Sequence, residues 1–244
     1  MELTPQTTAL LVQRALVLEP LADKQDCTTR FVDLPNRPLE NFVLAGINVG
    51  PVFEEFGRDW LAGGETRLFH RFVDALEVSN EHGSGKFVNF GLLEILFPAV
   101  AARIVCREPE QMVPTIIDLM EQAPASDVAE MVRARELAWS TSEKRDAKLK
   151  DLTPAVRAAE HPYDFYERVV QGDPHGSTAE WVDNYKQGLP LLGEQFEALR
   201  THPPASMLDK IQAAYDAVRA KNPGVRTGIL ADMSAAAIFL YLSL

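Results

Sequence analysis

A glycine-rich turn that leads into an apolar segment is the first feature of this sequence that could do chemistry. It consists of His82, Gly83, Ser84, Gly85 and Lys86. Glycines before a helix start let backbone N–H groups point at an anion, and the lysine adds positive charge, so the turn predicts a phosphate-binding site. His82 could donate a proton near neutral pH. The alternative is an ordinary joint between helices, because the turn lacks the spacing of a P-loop.

Acidic residues on one helix face form a second candidate site. Glu55 and Asp59 are four residues apart, so a helix places them on the same side, with Glu54 beside them. Carboxylates in that arrangement could hold a divalent cation that carries polyphosphate oxygens. Asp74 and Glu77 repeat the pattern further along the chain. For each pair, a solvated helix face is the alternative interpretation.

Several other kinds of site are not supported by the residue spacing. The five histidines form no HExxH, ExxH or HxxxH pattern, which argues against a helix-borne zinc or di-iron site. No GxSxG is present, so a serine hydrolase is not indicated. The two cysteines, Cys27 and Cys106, form no CxxC pair. This cysteine usage predicts a reducing compartment, and we expect a cytoplasmic protein.

The charge of the chain excludes two classes of partner. Its 35 acidic residues against 24 Lys and Arg give a formal charge of -11, which repels phosphate backbones and anionic lipids. The longest apolar runs, 92–105 and 233–244, fall short of the roughly 18 residues that span a bilayer. We therefore expect neither nucleic acid nor a membrane as partner. The second apolar run could pair two protomers into a homodimer.

The elements that must position these residues are helices. Apolar residues recur at three- and four-residue spacings along nearly the whole chain, which predicts an all-α fold. No repeat of 20 to 50 residues supports a solenoid, so we expect one domain over residues 1–244, a compact bundle of about ten helices. Pro51 should bend the predicted helix at 37–62. The other helices are predicted near residues 4–19, 68–76, 88–106, 109–122, 125–148, 153–160, 162–171, 177–200, 204–221 and 228–243.

Three separated segments carry residues of a known pattern. Segment 28–51 contains the stretch RFVD at 30–33 and ends in Gly-Pro, and segment 83–99 runs from the glycine turn into GLLEILFPA. The third contains the letters NPG at 222–224, followed by LADMSAA from residue 230. In this order they resemble the triphosphoribosyl-dephospho-CoA synthase family, in particular its shorter archaeal-type branch. Where that family has a PKPG turn, this chain has ADKQ at 22–25.

The resemblance implies a function. It implies transfer of the triphosphoribosyl group of ATP, with Mg²⁺, to an acceptor hydroxyl and release of adenine. The acceptor would be a CoA- or pterin-type molecule, in the second case in the synthesis of a methanopterin-type one-carbon cofactor. Two alternatives remain open at this point. The same helical frame could support a phosphohydrolase, or a non-catalytic protein that binds a nucleotide or assembles with partners.

The resemblance also implies site residues, which add to the glycine turn and the acidic helix face. It places Asp33 and Asp232 at catalytic positions, beside His82 as a candidate acid. We expect the segments around Asp33 and Asp232 to converge with the Lys86 turn on one magnesium-nucleotide cavity. The predicted metal ligands are Asp33, Glu55 and Asp59. The predicted nucleotide and phosphate contacts are Arg30, Gly83, Ser84, Gly85, Lys86, Asn89 and Asn222.

Overall fold

Helices make up the regular structure of the described chain. The computed structural model describes residues 2–24, 27–35, 37–64, 67–81, 87–140, 152–175, 177–203 and 206–244. Within these ranges the only β-type pairing is an isolated antiparallel bridge between Leu34 and Arg37. The predicted all-α fold class is therefore confirmed.

The helices follow one another along the chain with short connections. In order they are α1 (Pro5–Leu18), a 3-10 turn (Glu19–Leu21), α2 (Leu39–Asn48), α3 (Gly50–Leu61), α4 (Phe72–Ser79), α5 (Phe90–Val105), α6 (Pro109–Gln122), α7 (Ala125–Trp139), α8 (Pro154–Arg157), α9 (Pro162–Gly172), α10 (Ser177–Lys186), α11 (Pro190–Thr201), α12 (Met207–Lys221) and α13 (Thr227–Leu242). The bounds of α1, α6, α9 and α13 agree closely with the predicted ones. Of the predicted helix at 125–148, residues 141–148 lie outside the described residues.

Two predicted helices are each split in two by a proline. The helix predicted at 37–62 ends at Asn48 and restarts at Gly50, so Pro51 lies in the first turn of α3 instead of bending a continuous helix. A proline is tolerated there because a first-turn N–H has no partner within the helix. The helix predicted at 177–200 is interrupted before Pro190, where Gly188 and Leu189 have φ of 85° and 55°. That left-handed backbone reverses the chain between α10 and α11.

Helices α5 and α13 are the central elements of the fold. Both are apolar on nearly every side, which is typical of a helix surrounded by protein, and residues 92–103 of α5 and most of 227–240 of α13 are buried. The two helices pack against each other, and α13 also contacts α1, α11 and α12. The apolar surface of α13 is thus covered by its own chain. It is not the free surface for pairing protomers that the sequence predicted.

Aromatic rings pack around the middle of α5. The ring of Phe97 lies 4.6 Å from that of Phe53 and 5.0 Å from that of Phe56, both on α3. Phe72 at the start of α4 lies 5.8 Å from Phe97 and 5.3 Å from Phe90. These contacts bury the rings and fix α5 against α3 and α4. The position of the first turn of α5 is therefore set by the core.

None of the described helices has the length and apolarity to cross a membrane.

Candidate functional site

The carboxyl group of Asp232 lies against the first turn of α5. Asp232 is in the second turn of α13, and part of the residue remains exposed. A Cβ atom added to Gly91, the second residue of α5, would lie 2.1 Å from Asp232 Oδ2. Only a glycine at position 91 leaves room for the carboxyl group. The described part of segment 83–99, residues 87–99, therefore meets segment 230–236 at this point.

Charged residues surround the Asp232 carboxyl. Lys24 Nζ donates to Glu19 Oε1 at 2.5 Å and to the Glu19 backbone oxygen at 2.7 Å, and both side chains are almost fully buried. Burial raises the pKa of Asp232 well above its ordinary value, and the negative charges of Glu19 and Glu94 raise it further, while Lys24 opposes them. These effects favour the protonated form of Asp232 over that of an ordinary aspartate, and the protonated form can act as a proton donor.

The start of α5 carries unused hydrogen-bonding capacity. Asn89 precedes the first helical residue but makes no capping hydrogen bond. It is 1% exposed, and neither its Oδ1 nor its Nδ2 has a hydrogen-bond partner in the described part of the chain. A buried amide without partners is costly, so such a group is often completed by a ligand or a water molecule. Asn89 is thus suited to bind a polar group beside Asp232.

A buried ion pair lies beneath this end of α5. Arg135 Nη2 of α7 is 2.9 Å from Glu94 Oε1, and both side chains are at least nine-tenths buried. The hydroxyl of Tyr166 faces Glu94, and burial raises the pKa of both groups, although Arg135 opposes the shift. The guanidinium also lies over the rings of Phe90 and Phe165, at 5.0 and 5.2 Å. The pair connects α5, α7 and α9 behind the Asp232 carboxyl.

Three of the predicted site residues are used by nearby backbone and side chains. Asp33 is exposed, and its Oδ1 accepts from the backbone N–H of Leu39 at 2.6 Å, so it caps α2. The guanidinium of exposed Arg30 lies 4.6 Å above the ring of Phe31. Asn222 ends α12, where its Nδ2 donates to the Val218 carbonyl at 2.9 Å.

The N-terminal part of the chain contributes Glu19 and Lys24 to the surroundings of Asp232, and not the predicted Asp33. The charges that act on the Asp232 carboxyl are those of Glu19, Lys24 and Glu94. Lys24 lies in the stretch that replaces the PKPG turn. The Asp33 carboxyl itself is turned to the start of α2. The expected convergence with the Lys86 turn stays a prediction, because that turn lies outside the described residues.

The predicted metal ligands do not fit a magnesium ion in their present arrangement. Arg71 Nη1 is 2.6 Å from Glu55 Oε2, and Arg71 Nη2 is 3.1 Å from Asp59 Oδ2. Burial would raise the pKa of Asp59, but hydrogen bonds from His70 and Arg71 outweigh it and lower that pKa. In the ranges that the structure describes, no group of three or more His, Cys, Asp or Glu side chains is arranged to hold a metal. Glu55 and Asp59 are therefore engaged by Arg71 in this structure.

The glycine turn is not described by the structure, and several residues at the site were not predicted from the sequence. His82, Gly83, Ser84, Gly85 and Lys86 lie outside the described residues, whereas Asn89 is described and is at the site. The residues missed are Glu19, Lys24, Gly91, Glu94, Arg135 and Tyr166. Only Glu94 carried a signal, because a carboxylate inside an apolar run must have a buried partner.

Comparison of the chain with protein-family models, curated proteins and solved structures found no match.

Proposed function

We propose that the protein is a transferase that moves the triphosphoribosyl group of ATP to an acceptor hydroxyl and releases adenine. The observation that carries the proposal is the Asp232 carboxyl, half-buried with a raised pKa and held against the start of α5. Asp232 is also the residue that the family resemblance places at a catalytic position. The start of α5, where the resemblance predicts phosphate contacts, is the element that this carboxyl touches.

The proposed reaction breaks the bond between the anomeric carbon of the ribose and the adenine nitrogen. Adenine is a poor leaving group unless it is protonated, so a positioned acid accelerates its departure. Asp232 donates that proton, and the acceptor oxygen forms a bond to the anomeric carbon as its own proton passes to solvent. The sugar becomes positively charged on the way, as in glycoside hydrolysis. Glu19, whose negative charge already acts on Asp232, provides stabilising charge beside it.

The remaining groups at the site would bind and orient the substrate. Asn89 has both an acceptor and donors available among the described residues, which suits a ribose hydroxyl or a phosphate oxygen. Lys24, which donates twice to Glu19, supplies positive charge that acts on the Asp232 carboxyl. The first-turn N–H groups of α5 have no partner within the helix and favour negative charge. The phosphates would thus lie near the start of α5, next to the proton donor.

The experiment is a chromatographic assay for free adenine. The protein is incubated with ATP and magnesium chloride, and dephospho-CoA or a pterin precursor is offered as acceptor. We expect adenine from the wild type and at least a 100-fold lower rate from Asp232→Asn. Asparagine matches the shape of a protonated aspartic acid, so the melting temperature should change little. Asp118→Asn, an exposed residue of α6, is the matched control and should keep full activity.

The products distinguish the alternatives. Release of inorganic phosphate without adenine would indicate a phosphohydrolase, and ATP binding without turnover would indicate a binding protein. The second alternative has support from Asp33, Glu55 and Asp59, because all three carboxylates already have partners in the fold. Equal adenine release from the wild type and Asp232→Asn would exclude Asp232 as the acid.

A further inference from the structure

We propose that Gly91 is the positioning residue for Asp232, an inference that rests on the proposed function. A Cβ atom at position 91 would lie 2.1 Å from Oδ2, 2.6 Å from Cγ and 2.7 Å from Oδ1 of Asp232. Ordinary van der Waals contact with a Cβ begins near 3.4 Å. Any side chain at position 91 would therefore force the whole carboxyl group away from the first turn of α5.

Helix α13 is held in place on both sides of this contact. Gln195 of α11 holds it on both sides of Asp232, since its Nε2 donates to the Leu230 carbonyl at 3.0 Å and its Oε1 accepts from the Ser234 hydroxyl. The side chain of Asp232 must move instead, because its carboxyl atoms are the ones that the new Cβ would meet. Gly91 therefore determines where the proton donor is held.

The chain offers a close control for this glycine. Gly228 is the second residue of α13, as Gly91 is the second residue of α5. A Cβ at Gly228 would have no atom within 4 Å. Neither glycine has a positive φ, so the backbone accepts alanine at both positions. A difference between Gly91→Ala and Gly228→Ala is then due to what the new methyl group touches.

A double-mutant cycle tests the contact without any assay of activity. We expect Gly91→Ala to give a lower melting temperature relative to its parent in the wild type than in the background of Asp232→Ala, where the colliding carboxyl is absent. Gly228→Ala should lower it in neither background. A fold that fails with Gly91→Ala alone and recovers in the double variant would support the inference. Failure in both backgrounds would overturn it, because the collision would then lie elsewhere.

Two further measurements report on the position of the carboxyl. Displacement by more than 1 Å should lower kcat for adenine release about 100-fold and change KM little. The titration of Asp232, followed by ¹³C NMR and assigned with Asp232→Ala, should move toward the ordinary range of an aspartate. The charged groups that face Asp232 are Glu19, Lys24 and Glu94, the last with Arg135 behind it. None of them is changed by the substitution.

The outcomes separate this inference from the proposed function. A wild type that releases no adenine would refute the transferase, while the double-mutant cycle and the Asp232 titration would still test Gly91. If Gly91→Ala and Gly228→Ala gave the same stability and the same Asp232 titration, Gly91 would have no positioning role. An unchanged kcat for Gly91→Ala in an active protein would overturn the inference in the same way.

Discussion

Raising the pH from about 4 to about 7 should destabilise the protein through Asp127. Asp127 lies in the first turn of α7 and is fully buried. Its two carboxylate oxygens accept from the backbone N–H groups of Leu68 and Phe69, each at 2.8 Å, and so fix the segment that leads into α4. Burial nevertheless raises the pKa of Asp127 to about 6, because the two hydrogen bonds and nearby positive charges only partly oppose it.

The size of the effect follows from the difference between two pKa values. In the unfolded chain Asp127 titrates near the ordinary 3.8, whereas in the folded protein it titrates at about 6. Between these values the folded state holds a proton that the unfolded state has released. The resulting stability is fully present below about pH 4 and is lost as the pH rises through about 6. At 1.36 kcal/mol for each pH unit, the free energy of unfolding falls by about 3 kcal/mol.

Urea denaturation at a series of pH values measures this change. Asp127→Asn cannot titrate, so its free energy of unfolding should lack the contribution of about 3 kcal/mol between about pH 4 and pH 7. Subtracting its profile from that of the wild type removes the contributions of all other groups. Asp118→Asn, at an exposed position, should follow the wild type. Parallel profiles for the wild type and Asp127→Asn, or a difference between them that grows in favour of the wild type as the pH rises, would refute the reasoning.

Two arginines allow further predictions. Arg135→Met should lower the free energy of unfolding by about 3–5 kcal/mol, because it leaves Glu94 buried without its partner. Arg133→Met, on the exposed face of the same helix, is the control and should change the free energy of unfolding by less than about 1 kcal/mol. Arg103 Nη2 donates to the Ser243 carbonyl at 2.8 Å and caps α13. Arg103→Met should cost about 1.5–3 kcal/mol and speed amide exchange in the last turn of α13; unchanged exchange would rule out that capping role.

The sequence was sufficient for the fold class and for most helices. Apolar spacing is a local property, and it located α5 and α13 along the chain but not their central place in the fold. It misplaced the breaks at Pro51 and Pro190. A proline permits either a kinked helix or a new helix start, and the contacts of the flanking turns decide between them. The local signal therefore gave the helices but not all of their ends.

Part of the candidate site could also be predicted from the sequence. Asp232 and Asn89 were predicted as site residues, and both occur at the meeting point of α13 and α5. Their roles in a transferase remain a prediction. The carboxylate at Glu94 was visible as a charge inside an apolar run, but nothing in the local sequence identified Arg135 as its partner.

Only the tertiary structure decided which side chains share the site. Asp33, Glu55 and Asp59 have suitable chemistry, but a nearby backbone N–H or Arg71 engages each of them. Lys24 and Gly91 carried no signal in the sequence, yet one contributes charge beside Asp232 and the other leaves room for it. The physical reason is that helical spacing determines which residues share a face of one helix. The contacts between residues far apart in sequence depend on how all the helices pack together.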